Sequence, residues 1–125
     1  MTGTRKDDRK QIGTYGEELA EAMLRQLDYL ILCRNWRCRT GEIDIIAEIE
    51  GILVFVEVRT RRPTGHFGLA KESIDYRKQT KVRETAQFYL HRYKKYEQSI
   101  RFDVITVELL EEGTPPHIEH LQGAF

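Results

Sequence analysis

A mixed α/β domain with elements in the order α-β-β-β-α-β-β is the fold class this chain predicts, and three observations predict it. The stretch GEIDIIAEIEGILVFVEVRT reads as two β-strands, Glu42 to Ile49 and Ile52 to Arg59, rich in Ile, Val and Phe and hinged at Glu50 and Gly51. Two stretches with apolar residues at helical spacing flank it, one from Thr14 and one from Asp75 to Tyr93. Runs from Leu30 to Arg37, Ser99 to Leu109 and Ile118 to Leu121 supply further strands, the last after a turn at Pro115 and Pro116. At 125 residues the chain suits one core, with residues 1–12 expected as a flexible arm and 13–125 as the domain.

Each helix has a legible face. In the first, Tyr15, Leu19, Ala22, Met23 and Leu27 are expected to pack on the sheet, leaving Glu17, Glu18, Glu21 and Arg25 outside. Thr14-Tyr15-Gly16-Glu17 has the S/T-x-x-E spacing of a capping box, which would start the helix at Thr14. In the second, Val82, Ala86, Tyr89, Leu90 and Tyr93 form the buried stripe. Arg77, Lys81, Phe88, Arg92 and Lys95 lie opposite, with Glu84 among them.

Formal charge is zero, yet it is segregated along the chain. Residues 1–58 carry −3, residues 59–95 carry +8 and residues 96–125 carry −5. A positive face directly after the central hairpin suits a phosphate backbone, and a solvated helix face is the plainer alternative. Lys78, Gln79 and Lys81, near the start of the second helix, are the candidates for phosphate contacts, with Arg61 and Arg62 in the basic loop that runs from Thr60 to Gly68. That loop also holds Pro63, Gly65 and His66. Arg34, Arg37 and Arg39 around Trp36 could meet nucleic acid by charge and stacking; an exposed strand end is the simpler reading.

Other features exclude chemistry. Cys33 and Cys38 lack a partner pair for a zinc site and read as free thiols of a reducing cytoplasm. His117 and His120 point to opposite faces of a strand, and Asp103 reads as a partner for Arg101. No apolar run approaches membrane-spanning length, and MTGTRKDDRK has no signal-peptide core.

The hairpin contains three residues out of place in a core: Asp44, Glu57 and Arg59. With Glu50 and Gly51 as the turn, Asp44 lies opposite Glu57 and Glu42 opposite Arg59. Asp44, Glu57 and Arg59 then share one face. A four-residue loop about the same centre keeps this register; a three-residue loop breaks it. Facing carboxylates repel, so a cation is expected between them, a divalent metal or in part Arg59.

An acidic residue, a turn, then acid-x-basic on the next strand resembles the PD-(D/E)XK nucleases, the restriction-endonuclease-like and archaeal junction-resolvase group. More closely, the chain resembles the bacterial YraN-type family through Gly16-Glu17-Glu18-Leu19-Ala20, Arg34-Asn35, Gly41-Glu42-Ile43-Asp44, Phe55-Val56-Glu57-Val58-Arg59, Ala86 with Tyr89-Leu90, and Arg101-Phe102-Asp103-Val104. Arg59 departs from the lysine usual there. The resemblance implies a restriction-endonuclease-like mixed sheet flanked by helices and a metal-dependent endonuclease acting on nucleic acid, DNA ahead of RNA and branched DNA included. It implies Mg²⁺ or Mn²⁺ on Asp44, Glu57 and the Val58 carbonyl, with Arg59 and Glu17 completing the catalytic set, Gln79 in support and two copies pairing as junction resolvases do. Glu17 thus has two readings, capping residue or metal-side acid. A guanidinium cannot act as a base, so Arg59 would stabilise the phosphate or merely neutralise the acids. Two other classes therefore stand beside the enzyme: a non-catalytic nucleic-acid-binding module on the same scaffold, and a structural cluster of ion pairs.

Overall fold

Among the described residues, 5–62 and 74–125 of a computed structural model, the elements are α1 (Arg5–Gln26), β1 (Leu30–Cys38), β2 (Gly41–Ile49), β3 (Ile52–Arg61), α2 (Tyr76–Arg92), β4 (Ser99–Glu108) and β5 (His117–Leu121). Their order is the expected one. The strands form one five-stranded mixed sheet in the order β1-β2-β3-β4-β5. Neighbours are antiparallel except β3 and β4, which are parallel and need the crossover that α2 provides. Most of the expected basic loop, with His66, lies outside the described residues.

One helix covers each face. Ala20 and Leu24 of α1 pack with Ile45, Ala47, Val54, Val56, Ile105 and Val107. Val82, Ala86, Tyr89 and Leu90 of α2 pack with Ile43, Ile46, Leu53, Phe55 and Phe102 on the other face. Glu50 and Gly51 both have positive φ, 49° and 79°, the conformation a tight two-residue hairpin demands. Ile49 pairs with Ile52 and the register runs on to Ile45 with Val56, as expected from the turn.

Three expectations need correction. Helix α1 begins at Arg5, so residues 5–12, expected as an arm, are its first turns and Thr14 caps nothing. Tyr15 and Leu27 are 46% and 50% exposed, and the buried stripe is Gly16, Ala20 and Leu24. Periodicity allowed either stripe, but only the one with small residues lets α1 lie close to β3. Tyr93, expected in the α2 stripe, ends that helix instead and is 47% exposed.

Gly16 marks the closest approach. A Cβ there would sit 1.7 Å from Thr60 Oγ1 and 2.8 Å from Thr60 Cβ. Rotating the hydroxyl relieves the first clash; the second requires the backbones to separate. Gly16→Ala is expected to cost about 1–3 kcal/mol of stability through overpacking, despite the better helix propensity of alanine. In a Thr60→Gly background the same change should become stabilising. Urea unfolding of the four proteins in this cycle measures the coupling, and an unchanged cost in both backgrounds would rule out the contact as its source.

Candidate functional site

The β2–β3 ladder stops at Ile45 and Val56, one residue before Asp44 and Glu57. Arg34 pairs with Ile45 and Trp36 with Ile43, which sets Asn35 opposite Asp44 on the other side of β2. At this point the alternation of faces breaks on both strands. Arg34 and Ile45 face α1, whereas Trp36 and Ile43 face α2. Asn35 accommodates the break with φ of 52°, a left-handed conformation asparagine tolerates. Asp44 is thereby turned toward β3, where its Oδ2 accepts the Val58 N–H at 2.8 Å. Its own N–H points at Glu57 Oε2, 3.4 Å away. The two acids expected to face each other do so through backbone amides.

Glu57 is 2% exposed and faces α2. Burial and the nearby Asp44 push its carboxyl up to about 8, against the pull of Lys78; burial likewise raises Asp44 to about 6, helped by the charges of Glu17 and Glu42. The pair therefore titrates as a unit and holds close to one negative charge at neutral pH.

Lys78 supplies the cation at the pair. Its Nζ lies 3.4 Å from Glu57 Oε1. Asp75 caps α2 by accepting the Lys78 N–H at 2.8 Å, which fixes the first turn and aims the lysine over the end of β3. Sequence reasoning placed Lys78 among phosphate contacts and Arg59 at the acids; the structure reverses the second assignment. Arg59 is exposed and lines a cleft between α1 and β3, and among the described residues it forms no ion pair with either carboxylate. The expected register of Glu42 opposite Arg59 is not reached either, because the β2–β3 ladder ends at Ile45 and Val56; Glu42 Oε2 lies instead 2.6 Å from Arg37 Nε across the β1–β2 hairpin. Only the reversal at Asp44 could have signalled this, and a charged residue inside a β run does not announce a phase break.

The remaining candidates divide. Glu17 is on the middle of α1 with its Oε1 3.1 Å from the Arg34 guanidinium, which also holds Glu21 at 3.2 Å, so the capping role is excluded. It lines the same cleft as Val58, Arg59, Arg61 and Arg62. Arg61 pairs with Glu108 at 3.5 Å. Gln79 turns back to its own helix, donating to the Ile74 carbonyl at 3.1 Å. Lys81 is exposed one turn beyond Lys78, beside Gly41. Trp36 packs edge-on against Tyr89 and Arg39 lies over Phe88, so that group serves the strand end.

Elsewhere, Cys33 and Cys38 are free, and no described helix is long and apolar enough to cross a membrane. His120 contacts Asp103 while His117 lies beside Glu119, which separates the two histidines. Among the described residues no three His, Cys, Asp or Glu side chains converge as a closed metal cage. Asp44 and Glu57 come together as a pair of carboxylates, short of that number.

Fold and site together define a mixed α/β domain with an acidic pair, buried at Glu57 and half-buried at Asp44, and a helix-borne lysine beside its central hairpin. The model of the uncharacterised protein family UPF0102 matches residues 16–107, and the chain belongs to that family. UPF0102 proteins of Nocardia farcinica, Desulforamulus reducens and Alkaliphilus oremlandii are 42%, 45% and 44% identical to it. The alignments cover 97%, 94% and 93% of this chain and 94%, 97% and 98% of theirs.

Proposed function

We propose that the chain is a metal-dependent phosphodiesterase acting within nucleic acid strands, with Asp44 and Glu57 as its metal ligands. The observation that carries this reading is the pair itself: buried Glu57 and half-buried Asp44 brought together just past the end of the β2–β3 ladder, with Lys78 at ion-pair distance from Glu57 alone. Structural cores avoid such pairs unless something cationic binds them. The residues fit Mg²⁺ or Mn²⁺, since Asp44, Glu57 and the Val58 carbonyl offer only hard oxygens. A bound ion would supply a water of lowered pKa and offset charge on the scissile phosphate. Asp44 is held in one orientation by the Val58 N–H. Lys78 can donate to a phosphate oxygen or pass a proton, whereas Arg59 can donate but cannot give up its charge. Lys81 and the arginines of the α1–β3 cleft would bind flanking phosphates.

The proximity of Lys78 to Glu57 also favours a second reading, a non-catalytic nucleic-acid-binding module in which the lysine stands in for the ion. Calorimetric titration of Mg²⁺ and Mn²⁺ into wild type, Asp44→Ala and Lys78→Ala, paired with a cleavage assay on linear and branched DNA and RNA, separates the two. The enzyme reading expects metal binding lost in Asp44→Ala but kept in Lys78→Ala. It expects cleavage to fall about 100-fold in Lys78→Ala and less than about fivefold in Arg59→Ala. A folded wild type that binds DNA in a salt-dependent way and neither binds metal nor cleaves would replace it with the binding module.

A further inference from the structure

Tyr15 is an aromatic ring the core does not use. It stands 46% exposed on α1, one residue before the Gly16 contact, where periodicity would have buried it. Two concavities meet beside it. A cleft of about 510 Å³ runs between α1 and the end of β3, lined by Arg9, Arg59 and Arg62 together with Glu17 and Val58 of the candidate site. Next to it lies a pocket of about 450 Å³ lined by Tyr15, Leu110 and Pro116 together with the acids Glu111 and Glu112. Ile12 and Arg62 line both, so the two adjoin.

We infer that this pocket receives an unpaired base of the nucleic acid strand whose phosphates follow the arginine cleft to Asp44 and Glu57, an inference that rests on the function proposed above. The chemistry changes along the path in the order a nucleotide requires. Guanidinium groups beside Glu17 and Val58 match the backbone charge, and the Tyr15 ring with Ile12, Leu110 and Pro116 follows in the adjoining pocket, where a base can stack. Glu111 and Glu112 can accept from a base edge and would repel a phosphate, so a base rather than the backbone suits this pocket. A blunt duplex has its bases stacked and paired and cannot fill the pocket. The preferred substrate is therefore nucleic acid with unpaired nucleotides next to the scissile bond, such as single strands, flaps or open junctions.

Equilibrium binding tests this in EDTA at low salt, using a fluorescent single-stranded oligonucleotide and a blunt duplex of the same sequence. Wild type should prefer the single strand. Tyr15→Ala should weaken single-strand binding by about 5- to 100-fold, the range expected for one lost base–aromatic stack, and change duplex binding less than about twofold; Tyr15→Phe should retain the preference. Wild type itself should photocross-link 5-iodouracil to Tyr15 only from unpaired positions, a readout that does not depend on a variant folding. Equal loss on both substrates, no loss on either, or cross-linking that ignores pairing overturns the subsite and leaves the proposed function standing. Failure of folded wild type to bind any nucleic acid overturns the function, and the subsite with it.

Discussion

Glu57→Gln is expected to make the metal-free protein more stable at pH 8 and to lower cleavage about a thousandfold or more. Both effects come from the same buried charge. The folded carboxyl is pushed up to about 8, far above its unfolded value, and that of Asp44 to about 6. An acid whose folded pKa is raised binds more protons folded than unfolded. Stability from the pair is thus fully present below about pH 4 and drains away as pH rises through the folded values. Both groups contribute to the loss in the same direction, Asp44 at the lower end of that window and Glu57 at the upper. Glutamine keeps the shape and an oxygen for the Asp44 amide but cannot ionise, so the slope should flatten. It also removes one hard anionic ligand, which should abolish tight metal binding. Thermal melts from pH 5 to 9 in EDTA give the first measurement, and a cleavage assay with Mn²⁺ gives the second. A wild type that gains stability between pH 5 and 8 would contradict the electrostatics; a variant that cuts DNA normally would contradict the site. Metal binding at pH 7.5 should also release protons, visible as a buffer dependence of the titration heat.

Asp103→Ala is expected to destabilise the chain by about 3–5 kcal/mol, the scale of breaking a buried ion pair on one side only. Asp103 has no exposed surface, and the Arg101 guanidinium grips it by two bonds of 2.9 Å. His120 Nε2 lies 2.7 Å from its Oδ2 and the Gly123 N–H donates to Oδ1 at 3.0 Å. Arg101 also donates to the Tyr29 hydroxyl at 2.7 Å, tying the end of α1 to β4 and β5. Burial alone would raise the Asp103 carboxyl, yet these donors hold it below its ordinary value. Its contribution therefore has the opposite sign to that of Glu57, present above the unfolded pKa and lost as pH falls through the depressed folded one. Alanine takes the carboxylate from both Arg101, which keeps only the Tyr29 hydroxyl, and His120. Urea unfolding at pH 7 measures the loss, and a cost below about 1 kcal/mol would show the network to be surface-like in strength.

Residues with strong local signatures were legible in the sequence. Glu50-Gly51 specified the turn and hence the register, and that register brought Asp44 to Glu57 before any coordinates. Asp75 and the α2 stripe from Val82 to Leu90 were equally plain. What failed depended on contacts between distant segments. Whether α1 buried Tyr15 or Gly16 turned on how close β3 could come, a fact held by Thr60. The cation at Glu57 came from a helix that sequence proximity did not favour over Arg59. The phase break at Asn35 and Asp44 has no period of its own and was invisible to period-two reasoning.

That phase break also bears on the free edge of the sheet. Strand β1 is a nine-residue sheet edge without proline, and Leu30 on it is 56% exposed, the kind of border on which stray strands accrete. A recruit would have to copy an irregularity between Ile31 and Cys33 and then the reversal at Asn35, within a few residues. A regular extended strand matches neither. The backbone turn that aims Asp44 at its partner thus doubles as a guard against fibril growth, and straightening it for any purpose would open the edge as well as the site.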